Sequence, residues 1–214
     1  MRPPILTLLL TVALVASLAS LAMAVRLPGD NRGYEPVQPI AYSHKLHAGD
    51  MKIQCLYCHS GAERSRYVGI PAMSVCMNCH RLISAGVTAM EQEVAAAEKE
   101  QRAVARVISP ELKKLYDALA LDDSLAAIPD KPARPISWVR VHALPDFVRF
   151  NHSPHVIAGV ACQTCHGPIQ TMERVRQFAP LSMGWCVNCH RDVNEQGVAG
   201  HKVYAPTDCT TCHY

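Results

Sequence analysis

Three phenylalanines and two tryptophans are too few large aromatic side chains to fill the core of a 214-residue chain. The aliphatic residues do not make up the shortage, because much of the Ala, Val and Leu lies in the first 27 residues and in one later helical stretch. Something other than side chains fills the interior. Charge is scarce as well. A net charge of +3, scattered along the chain, argues against a nucleic-acid partner. There is no Walker, Rossmann or nucleophile-elbow motif, so phosphate-loop, dinucleotide and α/β-hydrolase chemistries lack their residues. Finally, no cysteine stands outside a Cys-x-x-Cys pair, and residues 86–128 hold neither Cys nor His.

The ten cysteines form the pairs Cys55/Cys58, Cys76/Cys79, Cys162/Cys165, Cys186/Cys189 and Cys209/Cys212. Structural zinc and disulfides both use such pairs. Covalent haem c attachment adds a requirement of its own: a histidine directly after the second cysteine. The thiols bond the porphyrin vinyls and the histidine ligates iron. The requirement is met at all five pairs, by His59, His80, His166, His190 and His213. With histidine at about one residue in twenty, chance would produce this on the order of once in a few million. Five covalently bound haem c groups are therefore expected.

Along the chain, an apolar run from Pro3 to Val25 follows Met1-Arg2. Its 23 residues span roughly 35 Å as a helix, enough for a bilayer core of about 30 Å. Ala22-Met23-Ala24 also fits a signal-peptidase site. The expectation is an uncleaved membrane anchor with the amino terminus cytoplasmic and everything after Arg26 on the far side, where c-type attachment takes place. Residues 27–40, with Pro28, Gly29, Gly33, Pro36 and Pro39, read as an extended linker. Residues 86–128 read as helical: Thr88 to Ile108 has high helix propensity, and Ser109-Pro110-Glu111 starts a second helix running to about Leu121. A hairpin packed on the haem domain is the plain reading, and a docking surface for a partner subunit the sharper one. Pro129, Pro132 and Pro135 mark a hinge.

An internal duplication is legible. Tyr42-x-His44-x-x-His47 precedes Cys55, and Phe150-x-His152-x-x-His155 precedes Cys162. The second motif of each half is Cys-x-Asn-Cys-His-Arg, at Cys76 and Cys186. Six of the eleven histidines remain after the proximal ones: His44, His47, His142, His152, His155 and His201. Five irons need five sixth ligands, so bis-histidine coordination throughout is expected, giving low-spin irons with no open position. His142 is the preferred fifth distal ligand, with His201 read as a solvent-exposed loop residue. Met73 and Met183 are alternative sulfur ligands, with apolar packing as their expected role. An enzyme with one open iron is the competing reading, which the histidine count opposes.

The segments at 42–50, 55–63, 75–80, 138–148 and 183–191 resemble the pentahaem cytochrome c subunit of alternative complex III, over nearly the whole chain. The resemblance implies quinol oxidation in the membrane. It implies an iron–sulfur/molybdopterin-like subunit and NrfD-type quinol-oxidising membrane subunits as partners, besides membrane lipid. Electrons would leave through a monohaem cytochrome c subunit or go directly to a soluble cytochrome, a copper protein or a terminal oxidase, in a respiratory or photosynthetic chain. It supports His44, His47, His142, His152 and His155 as distal ligands. A quinol dehydrogenase subunit feeding a periplasmic reductase is the alternative. In either case the chain is an electron-transfer subunit with no catalytic residue of its own.

The expected architecture is mostly α with much irregular structure, built from duplicated two-haem modules plus an N-terminal transmembrane helix. The boundaries are 1–27 for the anchor, 28–84 for linker and first module, and 85–135 for insert and hinge. Residues 136–214 hold the second module and the fifth haem.

Overall fold

The computed structural model describes residues 5–24 and 30–213, with side chains in the first helix described for residues 7–18. Arg2, Arg26, Pro28, Gly29 and the side chains of Ala22, Met23 and Ala24 lie outside the described residues. Helix and irregular backbone make up the structure, and β structure among the described residues consists of three isolated bridges. Nine α-helices are described, with a π-helical turn Lys45–Asp50 between the first two.

The stretch expected to anchor the chain is helical, as α1 (Ile5–Ala24), and Leu8, Leu9, Leu10, Leu14 and Leu18 are exposed on it. Among the described residues, however, no helix is long and apolar enough to cross a membrane. The membrane-crossing part of the expectation is thus not carried by the structure.

The linker is not a free spacer. Gly33 N–H donates to the Gln177 carbonyl at 2.8 Å, and Gln177 N–H returns a bond to Tyr34 at 3.0 Å. Gln38 grips the Val139 backbone through both ends of its amide, at 3.0 and 2.9 Å. Residues 33–38 therefore lie as a strap across the second module. A second tie is sterically tight: a Cβ on Gly49, in the π turn, would collide with the Gln170 carbonyl oxygen.

The insert forms α4 (Val87–Glu100) and α5 (Pro110–Ala118). The first helix ends eight residues short of the expected Ile108. Gln101 turns left-handed at φ 52°, and Arg102 folds back to bond Glu93 at 2.5 Å and Glu100 at 2.6 Å. Glu93 also accepts from Ala105 N–H at 2.7 Å, so a side chain within the helix caps the chain that leaves it. The second helix starts as expected, with Ser109 accepting from Leu112 N–H at 3.3 Å and Pro110 at its first position.

The buried core is small and one-sided. Met77, Leu115 and Tyr116 form it, with Met73, Cys76, Ile108, Leu112 and Leu119 packed around them. This joins the insert to α3 (Met73–His80). The Tyr116 hydroxyl, fully buried, donates to the His80 carbonyl at 2.5 Å. Of the insert, α5 packs on α3 of the first module. Elsewhere large apolar side chains stay exposed, among them Leu46, Ile70, Leu82, Phe147, Phe178 and Met183. Met73 packs against the Met77, Leu115 and Tyr116 cluster, whereas Met183 is 70% exposed.

Candidate haem sites

All five Cys-x-x-Cys pairs are helical, with His59 and His213 just past the ends of their helices. They lie on α2 (Cys55–Cys58), α3, α7 (Cys162–His166), α8 (Met183–Gln196) and α9 (Cys209–Cys212). Cysteines three apart on a helical turn project to the same face. Local chemistry starts these turns where it does: Ser182 caps α8 by accepting from Trp185 N–H at 3.3 Å, and Asp208 caps α9 from Thr211 N–H at 3.0 Å. None of the ten cysteines is joined to another in a disulfide. Among the described residues no group of three or more His, Cys, Asp or Glu converges as zinc requires.

The histidines pair across gaps. His44 faces His59 with ring centres 6.5 Å apart and planes within 2°. His152 faces His166 at 6.5 Å and 11°. His47 faces His80 at 6.1 Å and 64°, and His155 faces His190 at 6.0 Å and 38°. A metal about 2.0 Å from each imidazole nitrogen, with each ring centre about 1.1 Å further back, sets ring centres about 6.2 Å apart. The four gaps fit an axially bound iron. The first histidine of each His-x-x-His faces the first motif of its module, and the second faces the second.

The ring nitrogens point the same way. Nδ1 of His47, His59, His80, His152, His155 and His190 each meets a backbone carbonyl: Ser43, Gly69, Ile83, Arg66, Asn151 and Pro206, at 2.5–3.0 Å. A proton held at Nδ1 by a carbonyl leaves the Nε2 lone pair for a metal and fixes the ring's angle. The duplication extends to this detail, since His47 and His155 each use the carbonyl four residues upstream.

Aromatic rings hold both histidines of each pair of distal candidates. Tyr42 stacks on His47 at 4.5 Å and 24° and meets His44 edge-on at 4.9 Å. Phe150 repeats this with His155 at 4.8 Å and His152 at 4.7 Å. The shared aromatic-x-His spacing was the only sequence signal of this positioning role. The carbonyl partners of the rings carry none.

Burial shapes the titration of the sites. Desolvation, with the nearby imidazoles His59 and His47 adding to it, lowers the His44 pKa to about 4. Desolvation followed by His142 and His152 lowers His166 to about 4. These rings are neutral at ordinary pH, the state an iron ligand requires. Burial, then Cys58 and Cys76, raises Tyr42 to about 12, and burial, then Cys189, raises Cys165 to about 11.

The fifth motif is built differently. Val148 forms a bridge with His213, Arg149 N–H donates to the Cys212 carbonyl at 2.7 Å, and Phe147 stacks on His213 at 5.7 Å and 26°. The ring contact of His142 is with His166, edge-on at 4.5 Å, closer than an intervening metal would leave them. His142 is half-buried, with its Nε2 atom buried and unpartnered, and desolvation followed by His152 lowers its pKa. His201 sits in an exposed turn bridged to Val198, as expected of a loop residue.

Residues 148–214 match the family described as cytochrome c7 and related cytochrome c. The chain is also similar to the "Menaquinone reductase, multiheme cytochrome c subunit" of Nitratidesulfovibrio vulgaris. That protein is 23% identical over 196 residues, covering 82% of this chain and 76% of the relative. The matched part holds the third, fourth and fifth Cys-x-x-Cys-His motifs and is similar to cytochrome c7-type domains, a likeness that implies covalently bound haem c there.

Proposed function

We propose that the chain is a five-haem electron-transfer subunit of a quinone-linked membrane complex, not itself the catalyst. The carrying observation is the set of four imidazole pairs spaced 6.0–6.5 Å apart. When bound, each haem would carry one electron by cycling its iron between ferric and ferrous states. The protein's part is to hold and insulate. Cysteines 55, 58, 76, 79, 162, 165, 186, 189, 209 and 212 tether the porphyrins. His59, His80, His166, His190 and His213 take one face, and His44, His47, His152 and His155 the other at four sites. Held between two imidazoles, each iron would have no position open to substrate and would pass electrons only. His142 is the remaining distal candidate, supported by its buried, unpartnered Nε2. The segment that follows it leads through Phe147 to the fifth motif.

The complex is proposed from two lines of support. The relative named menaquinone reductase favours a quinone-linked assembly. The motif resemblance favours alternative complex III, with iron–sulfur, NrfD-type and monohaem cytochrome partners. The relative's name describes quinone reduction and the resemblance implies quinol oxidation, so electron flow in the reducing direction is the second reading. The apolar helix α1, exposed along its described length, supports a membrane location, with the haem domain on the extracytoplasmic side.

Purification of the intact complex tests this. Expected are quinone-linked co-subunits and a reduced low-spin haem c spectrum barely altered by carbon monoxide. A shift of the whole spectrum on adding carbon monoxide would overturn the electron-transfer role, and a haem-free chain would overturn the reading altogether.

A further inference from the structure

The duplication suggests two like modules joined in chain order, the second motif meeting the third. Contacts across the junction run otherwise. His152, from the second module, turns its Nδ1 to the Arg66 carbonyl at 3.0 Å. Its neighbour Ser153 donates to the Glu63 carbonyl at 2.7 Å. Both carbonyls belong to the loop directly after the first motif, not to the second. Cys55 also adds to the raised pKa of Cys162, after burial, so the leading cysteines of the first and third motifs lie near each other.

The remaining junctions are local. The first and second motifs meet where Asn78 donates its amide to the Tyr57 hydroxyl at 3.0 Å, and Cys58 neighbours Cys79. The third and fourth share the short helix α6 (His152–Ile157), which carries both facing histidines, and Cys165 neighbours Cys189 and Cys186. The fourth and fifth are tied by His190 Nδ1 at the Pro206 carbonyl, 2.5 Å, and by Asn194, which clamps Ala205 at 2.8 and 2.6 Å. Cys186 neighbours Cys212 there.

We infer that the five attachment motifs are arranged in space in the order 76–80, 55–59, 162–166, 186–190, 209–213. The first motif in the chain is an interior member of the row, and its ends are the second and fifth motifs. The loop after the first motif, bonded to His152 and Ser153, forms the joint between the modules. The inference rests on the haem-binding function proposed above and goes beyond it by naming which sites are neighbours. It also places the insert helix α5 at one end of the row, since Tyr116 and Leu115 pack on α3.

The test is magnetic coupling in the holoprotein. His44→Met raises the potential of the first site, because histidine–methionine ligation is the higher-potential set. The protein is poised so that this site alone is reduced and therefore diamagnetic. Electron paramagnetic resonance then reports which other irons lose a paramagnetic neighbour, with signals assigned through matching substitutions at His47, His152 and His155. The second and third sites are expected to lose their coupling. A response from the second site alone, the chain-order result, overturns the inference. If His44→Met fails to mature, His152→Met serves: the first and fourth sites should respond, and a response from the second and fourth overturns it. Full haem content with the wrong pattern refutes only the order, whereas absence of haem c refutes the functional reading too.

Discussion

The imidazoles of His44 and His59 lie within 2° of parallel across a 6.5 Å gap, whereas those of His47 and His80 cross at 64° across 6.1 Å. The second module repeats the near-parallel first pair at 11° and has an intermediate 38° at its second. The mutual angle of two axial imidazoles sets how the iron d orbitals split. Near-parallel rings should give rhombic low-spin signals at the first and third sites, and crossed rings a broader, strongly anisotropic signal at the second. Electron paramagnetic resonance of the oxidised protein checks this, and a single signal type for all sites would contradict it.

Removing one distal imidazole should affect one site. His47→Ala or His155→Ala is expected to convert a single haem to a high-spin, carbon-monoxide-binding form. The others should stay low-spin, as resonance Raman would show. His142→Ala is expected to change one haem's ligation. If every site stays bis-histidine, His142 is not the fifth distal ligand.

Tyr116 ties the insert to the second motif. Tyr116→Phe leaves the His80 carbonyl without its hydroxyl partner, at a cost of about 1–3 kcal/mol. Leu115→Ala, which hollows the same core, should cost about 2–5 kcal/mol. Thermal unfolding of the holoprotein would read both. No loss in either would mean that the insert does not brace the site.

Glu93 supplies a pH dependence away from the irons. Its hydrogen bonds from Arg102 and then from Ala105 lower its pKa from 4.5 to about 2. A carboxylate with a depressed folded pKa contributes stability that is present above the unfolded value and lost as pH falls from about 4.5 towards 2. Hydrogen exchange at the Gln101–Ala105 turn should quicken across that window. Glu93→Gln should remove the pH dependence and leave the turn fast throughout.

Much of the chemistry was legible because haem attachment is written locally, in five consecutive residues around one helical turn. The duplication was legible because Tyr42 and Phe150 head matching motifs. What faces what was not. In His44-x-x-His47 either ring is free, by spacing alone, to serve either haem, and the choice is made by tertiary contacts such as Tyr42 on His47. The carbonyls of Gly69, Ile83 and Pro206 that orient the proximal rings belong to residues with no polar side chain to mark them. Helix propensity overran α4 because it cannot register Arg102 returning to Glu93. The strap at residues 33–38 was hidden because proline and glycine content describes local stiffness, not the Gln38–Val139 bonds.

The most direct measurement is the mass of the mature protein together with its oxidised spin state. The expected result is five covalent haem c groups, with at least four of them low-spin and bis-histidine-ligated. Fewer than four haems, or four sites with open irons, would contradict the paired-histidine sites on which the functional reading stands.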